Sequence, residues 1–171
     1  LVSTCFSTHH LMFGDRDHDA DTVFFNSGGN PVVGWIDTEM YDETGDEQKS
    51  QGWTPLILDT NGNGKQDAWV EPDAPIDPTK DKRLGVGFYS TIQNPVDGAV
   101  WGSVWSFPGS LVRIDLGSNP PETALSEIYE APFDDPRPQF RGNTIRGIDV
   151  DRNGVIWTNL SGSGHLASFD R

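Results

Sequence analysis

The sequence predicts an all-β chain: a β-propeller, with about three four-stranded blade units visible, belonging to a larger propeller. Three observations point there. Nineteen Gly and 12 Pro among 171 residues are high for a helical protein and suit short strands joined by turns. Asp97-Gly98-Ala99-Val100-Trp101 and Asn153-Gly154-Val155-Ile156-Trp157 repeat one pattern, an Asp/Asn-Gly turn and then a strand that reaches Trp after two apolar residues. Downstream of each Trp a second strand ends in Asp, at Asp115 and Asp170, 14 and 13 residues on. A β-sandwich shares the hairpins and the strand-end Asp but not this ordered recurrence. Four antiparallel strands repeated at about 40–55 residues are the mark of a propeller blade.

In chain order, 9–13, 22–25, 32–37 and 53–58 read as the strands of a first unit. Only 39–50 has helical composition, and Gly45 interrupts it. Insertions at 39–52 and 59–82 account for the longer first period. The middle unit has strand candidates at 86–89, around Trp101, at 111–115 and at 125–130, the last alternating with period two. The final unit has 145–150, the strand through Trp157, and 166–170. Its Asn-Gly turn and the Asp-Gly turn of the middle unit suit type I′ hairpins, which need positive φ. The chain divides into a blade-like unit at 1–58 and an insertion with a Pro/Asp-rich linker at 59–82. A blade unit at 83–133 and a partial one at 134–171 follow.

Composition narrows the function. Twelve Lys+Arg against 26 Asp+Glu give a formal charge of −14, which repels nucleic-acid phosphates and anionic membrane surfaces alike. No apolar run approaches the roughly 18 residues that cross a bilayer as a helix. Six Trp and nine Phe supply bulky core material and argue against disorder. Cys5 is the single cysteine, which excludes an internal disulfide framework and a Cys-rich zinc site. Low Cys, acidity and Asp-rich turns fit a secreted or periplasmic protein. The start at Leu1 fits a removed leader or a segment of a longer polypeptide.

The segment from Gly147 to Trp157 resembles the inner two strands of blades in NHL-repeat and streptogramin (virginiamycin B) lyase-like propellers. There a Gly-Ile-x-x-Asp-x-x-Gly-x-hydrophobic-Trp run precedes a strand ending in Phe-Asp, and Phe169-Asp170 matches that ending. The likeness is good over 145–171, fair over 84–116 and weak over 1–58, and 39–82 departs from it. It implies fold far more than activity, because such blades serve many functions. In the lyases a histidine-based, magnesium-assisted elimination opens a lactone ring. Here only His10 and His165 are placed to supply the base, and no segment reproduces that family's active-site motif.

Asp59-Thr60-Asn61-Gly62-Asn63-Gly64-Lys65-Gln66-Asp67 carries side-chain oxygens at positions 1, 3, 5 and 9 with Gly at 6. This is the first part of an EF-hand-like or dockerin-like Ca2+ loop, in which alternate oxygens converge on one cation. Val70 stands at position 12, where an EF-hand places its bidentate acid, and Glu71 follows it. The expected ligands of a structural calcium are Asp59, Asn61, Asn63, Asp67 and Glu71, the loop closing on Glu71 or on Asp67. A bland Asn-Gly-rich turn without an ion is the alternative. Asp15, Asp17, Asp19 and Asp21 form a second ladder on alternate residues without the Gly. Either a cation sits there or the loop is simply solvated.

Aligning the inner strands sets His10 opposite Arg146, with His9 and Arg83 near the same channel mouth. His10 and Arg146 are the candidate acid–base or anion-binding pair, and His9 and Arg83 candidate ligand contacts. Strand alternation sends the two adjacent rings to opposite faces. Trp101, Trp105 and Trp157 offer stacking surfaces for a sugar or aromatic ligand, against the plainer role of packing between blades. His18 and His165 read as loop residues. Phosphate-loop, nucleophile-elbow and paired His-Glu zinc motifs are absent.

The expected function is therefore binding of a small-molecule or glycan ligand at one face of a calcium-stabilised, extracytoplasmic propeller. A lyase or lactonase acting on a lactone or ester, with Mg2+ if lyase-like, is the alternative enzyme. A calcium-stabilised adhesion or scaffold module is the third class. Three units leave an open edge, so the remainder of a longer polypeptide or another copy of the chain is expected to complete the ring.

Overall fold

The computed structural model describes residues 1–14 and 19–171. Its first sheet is an antiparallel meander in chain order: β1 (Leu11–Phe13), β2 (Thr22–Asn26), β3 (Val32–Asp37) and β4 (Gln51–Pro55). The helical composition after β3 yields α1 (Thr38–Thr44), started by the Asp37 side chain accepting from the Met40 amide and stopped by Gly45 at φ 65°. An Asx cap at one end and a left-handed Gly at the other are what bound so short a helix.

Seven strands then build the second sheet: β5 (Ile57–Leu58), β6 (Trp69–Val70), β7 (Asp81–Arg83), β8 (Ser90–Gln93), β9 (Val100–Val104), β10 (Ser110–Asp115) and β11 (Leu125–Glu130). Strands β8 to β11 form a second antiparallel meander, and β5 adds in parallel to β11 through Leu58 and Ser126. A third meander of β12 (Ile145–Val150), β13 (Ile156–Leu160) and β14 (His165–Phe169) follows. The chain is thus mostly β, as expected, in several sheets of which none closes on itself. Among the described residues no helix is long and apolar enough to cross a membrane.

Three local expectations are corrected. The strand at 53–58 is two strands: Pro55, which has no amide to give, ends β4, and the chain crosses through buried Leu56 to the second sheet. The segment 86–89 is not a strand, although Val86 and Phe88 do face the core. Phe88 lies over Gly102, where a Cβ would come within 2.1 Å of its ring, so packing rather than a ladder sets its alternation. The two Gly turns are not type I′. Within these two turns only Gly98 and Gly154 have positive φ, at 77° and 85°. The loops hold more than two residues, closed by Gly98 N–H to Asn94 O and Gly154 N–H to Asp151 O, so one left-handed Gly suffices.

The sheets pack face to face. One core joins Phe24 and Val33 of the first sheet to Val100, Val112 and Ile114 of the second, and another joins Trp101 and Leu111 to Ile145, Ile156 and Leu160 of the third. Every residue of β9 is buried, whereas β13 alternates buried and exposed. The first strands of the meanders lie side by side, β1 against β8 and β8 against β12. That adjacency positions the site.

Candidate functional site

Tyr89, just before β8, is where the three meanders meet. Its ring centroid lies 5.4 Å from that of His9, 5.0 Å from His10 and 5.8 Å from Trp105. The Arg146 guanidinium sits 4.9 Å from the centroids of both Tyr89 and Trp105, a cation–π geometry. Among the described residues no carboxylate pairs with Arg146, although the chain is strongly acidic. The His10 and Arg146 of the sequence reading thus do converge, on opposite partners of one Tyr ring.

A bulge aims the arginine. The pairing of β12 with β13 shifts register between Ile145 and Ile148, and a bulge of this kind redirects a side chain. The Arg146 carbonyl accepts from Ser103 Oγ and, at 3.4 Å, from Ser90 Oγ. Gly147 N–H donates to Asn159 Oδ1 at 2.6 Å. These bonds fix the backbone under the guanidinium.

The histidines are held otherwise than expected. Residues 9 and 10 precede β1, so strand alternation does not govern them, and both rings lie on one side with centroids 4.4 Å apart. Nδ1 of His9 is 3.0 Å from the Tyr89 carbonyl, and Nδ1 of His10 reaches the same oxygen. The two Nδ1 atoms lie 2.8 Å apart, so only one of them carries the proton that the Tyr89 carbonyl or the other ring accepts, and neither Nε2 bonds a described residue. A cavity of about 210 Å³ lined by His9, Gly28, Gly87, Phe88, Tyr89 and Trp105 adjoins them.

Asn26 secures this arrangement. It is fully buried, donates its side-chain amide to the Phe88 carbonyl and accepts from the His10 amide at 3.0 Å. Replacing it by Leu strips both groups of their partner, each loss costing about 1–3 kcal/mol. We expect Asn26→Leu to lower stability by about 2–3 kcal/mol in urea unfolding and to shift the imidazole resonances of His9 and His10. Unchanged imidazole resonances in the folded variant would show that Asn26 does not position the pair.

The other expected site residues lie elsewhere. Trp101 is 1% exposed and stacks on Tyr129 at 5.8 Å; it packs sheet on sheet and offers no ligand surface. Trp157 is 48% exposed but stands on the open face of the third sheet. Arg83, on β7, pairs with Glu71 at 3.3 Å and lines a separate cleft of about 710 Å³ with Trp53 and Trp69. His165 bonds Ser163 Oγ on the exposed β14.

In the 59–67 loop the side chains of Asn61 and Asn63 donate to Asp67 Oδ2 at 3.0 and 2.5 Å, and hold that carboxyl below its ordinary range. Asp59 accepts from the amides of Gly62 and Gly64. Glu71 is paired with Arg83 at 3.3 Å. Of the second ladder, Asp15 and Asp17 lie outside the described residues. Asp19 accepts from Gln93 at 2.8 Å, and Asp21 is an exposed residue whose carbonyl accepts from Thr38. Among the described residues no three Asp, Glu, His or Cys side chains are already gathered closely enough to hold a metal.

Sequence reasoning missed Tyr89 and Asn26, and reached Trp105 only as one of three Trp with a stacking face to offer. An Asn inside an apolar strand, which strands disfavour, was the one available signal for a buried polar tie. Compared with protein-family models, curated proteins and solved structures, the chain matches none.

Proposed function

We propose that the chain is part of an extracytoplasmic, propeller-type protein that binds a small anionic ligand where β1, β8 and β12 converge. A carboxylated sugar is the class that fits best. The observation that carries this is an Arg146 guanidinium laid over Tyr89 and Trp105 with no carboxylate partner among the described residues, beside two histidines with free Nε2 atoms. The guanidinium would take the carboxylate, the half-exposed Trp105 face the ring, and the imidazoles the hydroxyls. The likeness of 145–171 to NHL-repeat and lyase-like blades supports reading the three successive meanders as blades. Exposed Trp157 and Leu166 on the third sheet support a further sheet beside it, from the same polypeptide or another copy.

Glucuronate and polygalacturonate titrated by calorimetry test the reading. Binding is expected to weaken about tenfold or more in Arg146→Ala and His10→Ala, to fall with added salt, and to survive Trp69→Ala. Loss in Trp69→Ala with Arg146→Ala unaffected would move the ligand to the larger cleft and overturn the proposal.

The free Nε2 atoms also favour a second reading, a lyase or lactonase with His10 as base. Turnover of a lactone or ester probe that His10→Ala abolishes with folding intact would establish it. Binding without turnover keeps the binding module.

A further inference from the structure

Asp81 begins β7 and is completely buried. One carboxylate oxygen, Oδ2, accepts from the backbone amide of Asp67 at 2.6 Å, which seats the group against the 59–67 loop. The other, Oδ1, is buried with no hydrogen-bond partner. Nor do the neighbouring cations neutralise it: Lys82 Nζ is bound to the Ala74 carbonyl at 2.6 Å, and Arg83 to Glu71. A buried carboxylate with an orphan oxygen is costly unless a proton or a cation compensates it.

The loop in front of it is closed by side-chain oxygens that accept from its own amides. Gly62 and Gly64 take positive φ, at 77° and 72°. Asp59 Oδ2 accepts from Gly64 N–H at 2.8 Å, Asn61 Oδ1 from Asn63 N–H at 3.1 Å and Asn63 Oδ1 from Lys65 N–H at 2.9 Å. The loop itself carries only the acids Asp59 and Asp67, since Val70 stands where an EF-hand has its last ligand and Glu71 is turned to Arg83.

We infer that Asp59, Asn61, Asn63 and Asp67 form a calcium site to which Asp81 supplies the third carboxylate, from β7 rather than from the loop's own twelfth position. Oxygen-only donors with two amides suit calcium, which accepts about six to eight flexible oxygen ligands, better than magnesium, which demands a tight octahedron. Binding draws the carboxylates together and turns the Asn61 and Asn63 amides, which now donate to Asp67, so that their oxygens face the ion. The ion ties the insertion to β7, which pairs with β5 in the second sheet.

The test is a calcium titration of the whole chain by calorimetry, with terbium as a luminescent probe excited through Trp69, two residues beyond Asp67. One saturable site is expected, and Asp81→Asn is expected to weaken calcium about tenfold or more through loss of ligand charge. Asn retains an oxygen for the Asp67 amide, so a purely structural Asp81 would leave the affinity unchanged and overturn its assignment. Glu71→Gln is expected to change affinity less than about twofold, because its carboxylate faces Arg83; a larger loss there would return the closing ligand to Glu71. Should Asp81→Asn not fold, the exposed-loop variant Asp59→Ala carries the test by losing the bound terbium. Absence of calcium binding to the native chain at about 5 mM would overturn the site.

Discussion

Trp101→Ala is expected to unfold the chain most readily of any single aromatic replacement, losing about 3–5 kcal/mol of stability. The indole is 1% exposed, stacks on Tyr129 with centroids 5.8 Å apart and meets Phe169 of the third sheet at 6.0 Å. Its removal leaves a cavity at the joint between two sheets, lined by strands that cannot collapse without breaking ladders on both sides. Trp157, in the same turn-and-Trp setting, is half exposed, and Trp157→Ala is expected to change stability by less than about 0.5 kcal/mol. Urea unfolding followed by near-ultraviolet circular dichroism measures both. Equal losses at the two positions would contradict the different packing of the second and third sheets. Because Trp101 Nε1 is buried without an acceptor, Trp101→Phe forfeits area but no hydrogen bond and is expected to cost much less than alanine.

Arg113→Met ranks next. The arginine is 8% exposed and contacts Asp97 at 2.8 Å, Glu127 at 3.2 Å and Asp115 at 3.5 Å. Methionine fills the volume but leaves Asp97 and Asp115 without this cation and Glu127 with Arg171 alone, and breaking a buried pair this way costs about 3–5 kcal/mol. Asp97 and Glu127 keep 30% and 35% of their side-chain exposure, so water recovers part of the loss and the lower end, about 3 kcal/mol, is expected. The pH dependence gives a second readout. Burial pushes the Glu127 carboxyl up, but hydrogen bonds from Arg171 and Tyr129 and the charges of Arg113 and Arg171 outweigh it and hold the group below its ordinary 4.5. A carboxyl depressed on folding contributes stability above its unfolded value and loses it as pH falls through the lower folded value. In Arg113→Met the folded value rises toward the unfolded one, so the acid-dependent stability that Glu127 contributes is expected to shrink. A carbon-13 titration of Glu127 that is identical in both proteins would refute this.

The parts of the fold legible in the sequence were those where local pattern and tertiary packing agree. β3, β11 and β12 were expected over the residues they occupy, from their places in the repeated unit and their apolar content. The segment 86–89 alternates like a strand for a different reason, Phe88 covering Gly102, and periodicity alone does not reveal it. Trp101 and Trp157 occupy equivalent places in their repeats and differ only in what covers them, which no local pattern records. The site followed the same division. His10 and Arg146 were recognisable by residue type and repeat position, whereas Tyr89 and Trp105 became part of it through the approach of separate sheets. Arg83 was misplaced because the start of the middle unit is built from β7, which belongs beside β5 rather than at the convergence of first strands. Asp81 gave no signal at all, since an acid in a Lys-rich stretch looks like a surface residue until its burial is seen.

The contrast between β9, buried along its whole length, and β14, largely exposed, implies a hierarchy of opening. In the chain by itself, amides of β9 and β10 are expected to exchange with solvent only when the whole core comes apart, and the β12–β14 meander to open at lower cost until a further sheet covers it. Arg146 belongs to that looser meander and Tyr89 to the edge of the protected sheet. Each partial opening of β12–β14 therefore withdraws the cation from the aromatic pair and dismantles the anion site while most of the chain stays folded. A ligand bridging Arg146 and the histidines would act as a clasp across the two, slowing amide exchange in β12 by as much as its binding free energy opposes the opening.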